Sequence, residues 1–133
     1  MAERPYFHPD VYTDGLAELS THGNRIYMCT QLPTDYTEAS DTYAKGNKDA
    51  PTVGAPAEVG TSYAVTITAF TDGVITGEGL VSHWCLVDTV ADRLLAARKL
   101  AVAQQFYLGN SFALGKEGGG NIALGFDYPA EEV

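Results

Sequence analysis

The chain has 133 residues, 45% of them hydrophobic and 19% charged, and its 8 Lys and Arg against 17 Asp and Glu give a formal charge of -9. That length reads as one domain, and area scaling sets ~6,800 Å² of folded surface against ~20,600 Å² extended, enough burial for a core without staples. The composition excludes a disordered chain, a membrane helix of ~20 apolar residues, and the basic stripe that nucleic-acid phosphates require.

Pro5 and Pro9 bracket Tyr6-Phe7-His8. Each proline removes a donor and turns its predecessor away from helix, so residues 1–9 read as an extended arm with no regular structure. No unbroken apolar stretch opens the chain, so no export signal is expected. Val11, Gly15, Leu16 and Leu19 share one helical face, which predicts a short helix between Asp10 and Thr21 that ends at Gly23. Arg25–Leu32 reads as a strand, with Ile26, Met28, Thr30 and Leu32 on one face and Tyr27 and Cys29 on the other. Thr34–Lys48 is polar and fits either a two-turn helix or a long loop, whereas Ala50–Gly60, with two prolines and two glycines, reads as a loop or short edge strand.

Tyr63–Phe70 alternates, and Asp72-Gly73 carries the signature of a type I′ turn, so a β-hairpin is expected from Tyr63 to Thr76. Leu80–Asp88 is nearly continuous apolar and suits a central strand covered on both faces. Ala91–Leu108 is composed of good helix formers, yet it stands between strand signals, which favour strands over helix. Phe106-Tyr-Leu, Gly109-Asn-Ser and Phe112–Leu114 then read as strand, turn, strand, with Gly118–Gly120 a turn and Asn121–Phe126 a last strand. The sum is mainly β: an antiparallel sandwich or jelly-roll-like barrel of seven or eight short strands with one short N-terminal helix. The expected organisation is an arm over 1–9, a single β domain over 10–128 and an acidic tail over 129–133.

Chemical motifs are sparse. Gly109 to Gly115-Lys116-Glu117 has one residue too many for a phosphate loop and a glutamate where a hydroxyl is needed. His8, His22 and His83 do not share a ligand spacing, and Ser82-His83-Trp84-Cys85 reads as a packed strand rather than a metal site. No serine stands in a Gly-x-Ser-x-Gly elbow. Cys29 and Cys85 lack a ligand or redox spacing and read as two free, half-buried thiols in a reducing compartment. No enzyme, no cofactor and no metal are therefore expected. Tyrosine and tryptophan suit interfaces as well as cores. Tyr6, Phe7 and His8 are accordingly the candidate docking arm, and Tyr27 and Trp84 the candidate core or interface aromatics.

The block Arg25-Ile-Tyr-Met-Cys-Thr-Gln-Leu-Pro-Thr-Asp-Tyr-Thr-Glu-Ala39 and the strand His83-Trp-Cys-Leu-Val-Asp88 resemble a family of small virion structural proteins of tailed bacteriophages, over about residues 15 to 126. The resemblance implies a capsid decoration or cement protein, made in the host cytoplasm and placed on the capsid exterior. Its partner would be the major capsid protein of the phage head, with self-association as a dimer or trimer on the shell. The rival readings are a tail or head-to-tail connector component, and a surface carbohydrate-binding β-sandwich that stacks sugars on Trp84 and exposed tyrosines.

Overall fold

Two largely buried strands, Arg25–Cys29 and Gly79–Asp88, lie side by side near the centre of a seven-stranded sheet. The computed structural model describes residues 6–7, 15–59, 62–115 and 121–124, with the backbone alone at Tyr6, Phe7, Glu58, Val59, Ser62 and Tyr63. In chain order the elements are β1 (Tyr6–Phe7), α1 (Ala17–His22), β2 (Arg25–Cys29), a π turn (Glu38–Thr42), β3 (Ala44–Asp49), β4 (Ala57–Val59), β5 (Ser62–Ile67), β6 (Phe70–Ile75), β7 (Gly79–Asp88), β8 (Arg93–Phe106), β9 (Ser111–Leu114) and β10 (Ile122–Leu124). The large sheet runs β1-β8-β7-β2-β3-β6-β9, and a second sheet runs β10-β5-β4. Every described pairing between named strands is antiparallel. The protein is mainly β, as its sequence predicts. No helix among the described residues is long and apolar enough to cross a membrane.

The alternation of β2 decides the layering. Ile26 and Met28 join Trp84, Leu86 and Leu95 in a core that also takes Val65, Ile67, Ile122 and Leu124 from the second sheet, so this core fills the sandwich. Tyr27 and Cys29 point the other way, into a second core with Cys85, Val87, Leu94 and Ala97, against which Leu32, Tyr36, Tyr43 and Ala44 pack. Both faces of the central strands are thus covered from His83 to Asp88, which is why that part of β7 could dispense with polar alternation.

Several expectations need correction. The Tyr63–Thr76 hairpin does not form: β5 belongs to the second sheet and β6 to the first. Asp72 and Gly73 lie inside β6, and neither has a positive φ. Gly73 serves a close approach instead, because a Cβ there would sit 2.3 Å from the Phe112 ring. That ring is held by Phe106, with centroids 5.2 Å apart, and by Phe70 at 5.8 Å.

Residues 91–108 resolve to one 14-residue strand, β8, because β7 on one side and cores on both faces outweigh helix propensity. β9 follows its turn but pairs with β6 rather than folding back on β8. Thr34–Lys48 divides into the π turn and β3. Of the helix expected between Asp10 and Thr21, residues 10–14 lie outside the described residues, and the described helix is Ala17–His22. Nor is the arm free of regular structure, since Tyr6 and Phe7 pair with Ala97 and Ala96 at the edge of β8. His8, Gly118–Gly120 and the tail 129–133 lie outside the described residues.

Candidate docking surface

β7 and β8 form a long hairpin whose two ends differ in chemistry. At the end away from its turn, Gly79 stands opposite Phe106 and Leu80 opposite Gln105. The chain then turns through Tyr107–Asn110, and the Leu108 amide donates to Glu78 Oε2 at 3.2 Å. Three large apolar side chains are left in solvent here: Leu80 is 56% exposed, Tyr107 55% and Leu108 59%. Val102, further back along β8, is 72% exposed. Scattered surface apolar residues need no explanation, but a group gathered at one end of a rigid hairpin has the composition of a protein interface.

The turn end is built around charge, although Val90 in the turn itself is 88% exposed. Asp88 Oδ1 accepts from the Val90 and Ala91 amides, at 2.9 and 3.2 Å, which shapes the turn containing Asp92 at φ 55°. Asp88 Oδ2 takes the Arg93 guanidinium at 2.9 Å, and the same guanidinium nitrogen meets Glu18 Oε2 of α1 at 2.5 Å. His22 Nδ1 lies 2.9 Å from that Glu18 oxygen. Asn24 adds a reciprocal pair with Thr89, accepting from its amide and donating to its hydroxyl, both at 3.0 Å. Burial pushes the Asp88 carboxyl up, but the Arg93 hydrogen bond and the two turn amides outweigh it and hold the group below the ordinary carboxylate range. A hollow of about 320 Å³ opens beside this cluster, lined by Thr21, His22, Asn24, Asp88, Val90, Ala91 and Arg93. The one carboxylate that lines it, Asp88, is engaged with Arg93 and the turn amides, and Arg93 also holds Glu18, so the cluster acts as a latch between α1 and the β7–β8 turn.

The residues singled out from sequence separate. Trp84 is fully buried in the sandwich core, opposite Arg98, and its indole Nε1 has no hydrogen-bond partner among the described residues. It belongs to the core and offers no platform to a sugar. Arg98 donates to the Ala123 carbonyl at 3.0 Å and so ties β8 to the second sheet. Tyr27 lies in the second core, where its hydroxyl accepts from Arg25 Nη1 at 3.0 Å, a bond that raises the guanidinium's pKa. Tyr6 and Phe7 use their backbone in pairing with β8. His83 is packed, 2.8 Å from the Ser82 hydroxyl.

Cys29 and Cys85 are free thiols but fully buried rather than half-buried, with sulfurs 4.0 Å apart across β2 and β7. Burial first, and the neighbouring Cys29 second, push the Cys85 thiol well above its usual value. Such a thiol is a poor nucleophile.

Sequence reasoning missed both hairpin ends. Only the five-residue spacing of Asp88 and Arg93 could have signalled the latch, and Glu18 is joined to it by folding alone. No known family model matches the chain, and no curated protein or solved structure does.

Proposed function

We propose that this chain is a non-enzymatic structural protein of a tailed-phage virion, bound to the outside of the head shell as a decoration or cement protein. The observation that supports it is the apolar end of the β7–β8 hairpin, where Leu80, Tyr107 and Leu108 stand in solvent on a rigid support. Its partner is the major capsid protein, and these side chains take over the docking role that sequence alone gives to Tyr6, Phe7 and His8.

Charge favours the outer face. A chain with net charge -9 is repelled by packaged nucleic-acid phosphate, so the genome side of a shell is the unfavourable one. Cementing then follows from mass action: a ligand that binds only the assembled lattice stabilises each site by roughly 2.7 kcal/mol at a hundredfold excess over Kd.

Co-sedimentation with emptied shells of the encoding phage tests this. The wild-type chain is expected to pellet with shells, and Leu80→Glu combined with Leu108→Glu to remain in the supernatant while still folded by circular dichroism. A wild-type chain that stays in the supernatant overturns the reading. So does a copy number of about six or twelve per particle, which marks a ring-forming connector rather than a coat.

A further inference from the structure

β8 has an edge that nothing in the described fold covers over most of its length. Its register with β7 runs from Asp88 opposite Arg93 to His83 opposite Lys99, breaks, and resumes at Val81 opposite Gln104. Leu100–Ala103 therefore remain in the strand while only Ser82 lies across from them. On the other side β1 pairs at Ala96 and Ala97 alone. Ala101–Gln105 are all exposed.

Natural sheets blunt such edges with charge, proline or shortness. Leu100–Phe106 holds no charge and no proline, and β8 is 14 residues long.

We propose that this edge pairs with the same edge of a second copy, β8 antiparallel to β8, giving a two-fold dimer in which the two large sheets become continuous. Charge and symmetry select that occupant. Arg93–Gly115 contains three basic residues and no acidic one in a chain with 17 acids, so here two copies of net charge -9 meet with least repulsion. A two-fold axis normal to the sheet makes one residue face its own counterpart. With Val102 on the axis, Ala101 faces Ala103 of the other copy, Leu100 faces Gln104 and Lys99 faces Gln105, so no like charges oppose each other. The dimer goes beyond the shell-bound role and does not depend on it.

Sedimentation equilibrium of the full chain, beside Val102→Lys and Val102→Glu, decides it. Val102 is 72% exposed, so both variants keep the fold, which circular dichroism verifies. The wild type is expected to dimerise, each variant to dimerise at least about tenfold more weakly, and their equimolar mixture to recover as a heterodimer with Lys facing Glu across the axis. A wild type that stays monomeric to about 100 µM, variants that dimerise as the wild type does, or a mixture that does not recover overturns the proposal. So does a full chain that is monomeric while a form lacking residues 1–5 dimerises, since the chain's own start would then fill the edge. A monomer that pellets with shells removes the dimer alone, and a dimer that does not pellet removes the shell role alone.

Discussion

Leu94–Arg98 and Ala101–Gln105 belong to the same strand, yet every residue of the first stretch is buried and every residue of the second exposed. Both stretches are rich in alanine and branched aliphatics, so side-chain polarity does not separate them. Neighbours do. The first stretch has β7 and β1 in its plane, the sandwich core below and the second core above. The second loses its register with β7 over Ala101–Ala103, regains it only at Gln104, and has no described layer over it. One strand thus serves as scaffold at one end and as surface at the other, and equivalent truncations in its two halves should differ by severalfold in their effect on stability.

The largest effect is expected at Leu95, fully buried in the sandwich core. Leu95→Ala removes apolar contacts and leaves a cavity, a loss of about 2–5 kcal/mol. Urea unfolding followed by the fluorescence of Trp84 checks it, and a loss below about 1 kcal/mol would mean that the half of β8 assigned to scaffold is loosely packed.

Arg93→Ala comes next and probes the opposite end of the hairpin from the apolar group. It strands Glu18 and Asp88, whose side chains are 8% and 4% exposed. Breaking a fully buried pair costs about 3–5 kcal/mol, and the 17% exposure of the Arg93 side chain reduces the expectation to about 2–4 kcal/mol. The same latch predicts acid sensitivity. The folded pKa of Asp88 lies below its unfolded value, so its contribution is complete above the ordinary carboxylate value near ~4 and is lost as pH falls through the lower folded value. Asp88→Asn should flatten that part of the stability profile between pH 5 and 2, measured as melting temperature. An unchanged slope would remove Asp88 from the latch.

Gly73→Ala should cost roughly 1–3 kcal/mol, since its Cβ would meet a Phe112 ring that cannot retreat from its stack on Phe106. A neutral or stabilising result would break the account of Asp72-Gly73 as part of a strand under an aromatic ring.

That glycine also shows where the sequence stopped being legible. Asp-Gly between alternating residues is the same signal whether the glycine supplies a positive φ or makes room for a ring. The ring here comes from Phe112, far along the chain, so local spacing could not choose. β2 was legible because its alternation is strict, and the two faces of Ile26/Met28 and Tyr27/Cys29 go to the two cores. β7 was legible because it is nearly continuous apolar, broken only by Ser82 and His83 before Asp88 ends it. β8 was half legible: the strand signals on either side of it favoured the right element against a helix-forming composition, while nothing in the sequence told its buried half from its exposed one. The docking surface was the least legible part. Leu80 and Leu108 come to the same end of the hairpin only because β7 and β8 align Leu80 with Gln105, and Tyr6-Phe7 pair by their backbone with β8.

The smallest effect, and the one that sharpens the contrast most, is expected at Val102. Val102→Ala removes two methyl groups, as a valine-to-alanine change would in the core, but from a side chain 72% exposed and in a stretch without a cross-strand neighbour in β7. A surface substitution away from caps, ion pairs and packed contacts changes stability by less than about 0.5 kcal/mol. Measured at a protein concentration too low for association, the midpoint of Val102→Ala should therefore coincide with that of the wild type. At concentrations where the β8 edges pair, unfolding must also separate the copies, so the same substitution should lower the wild-type melting temperature there and not in dilute solution. A loss that is already present in dilute solution would mean that Val102 is packed within its own chain, and the division of β8 into scaffold and surface would then fall at a later residue.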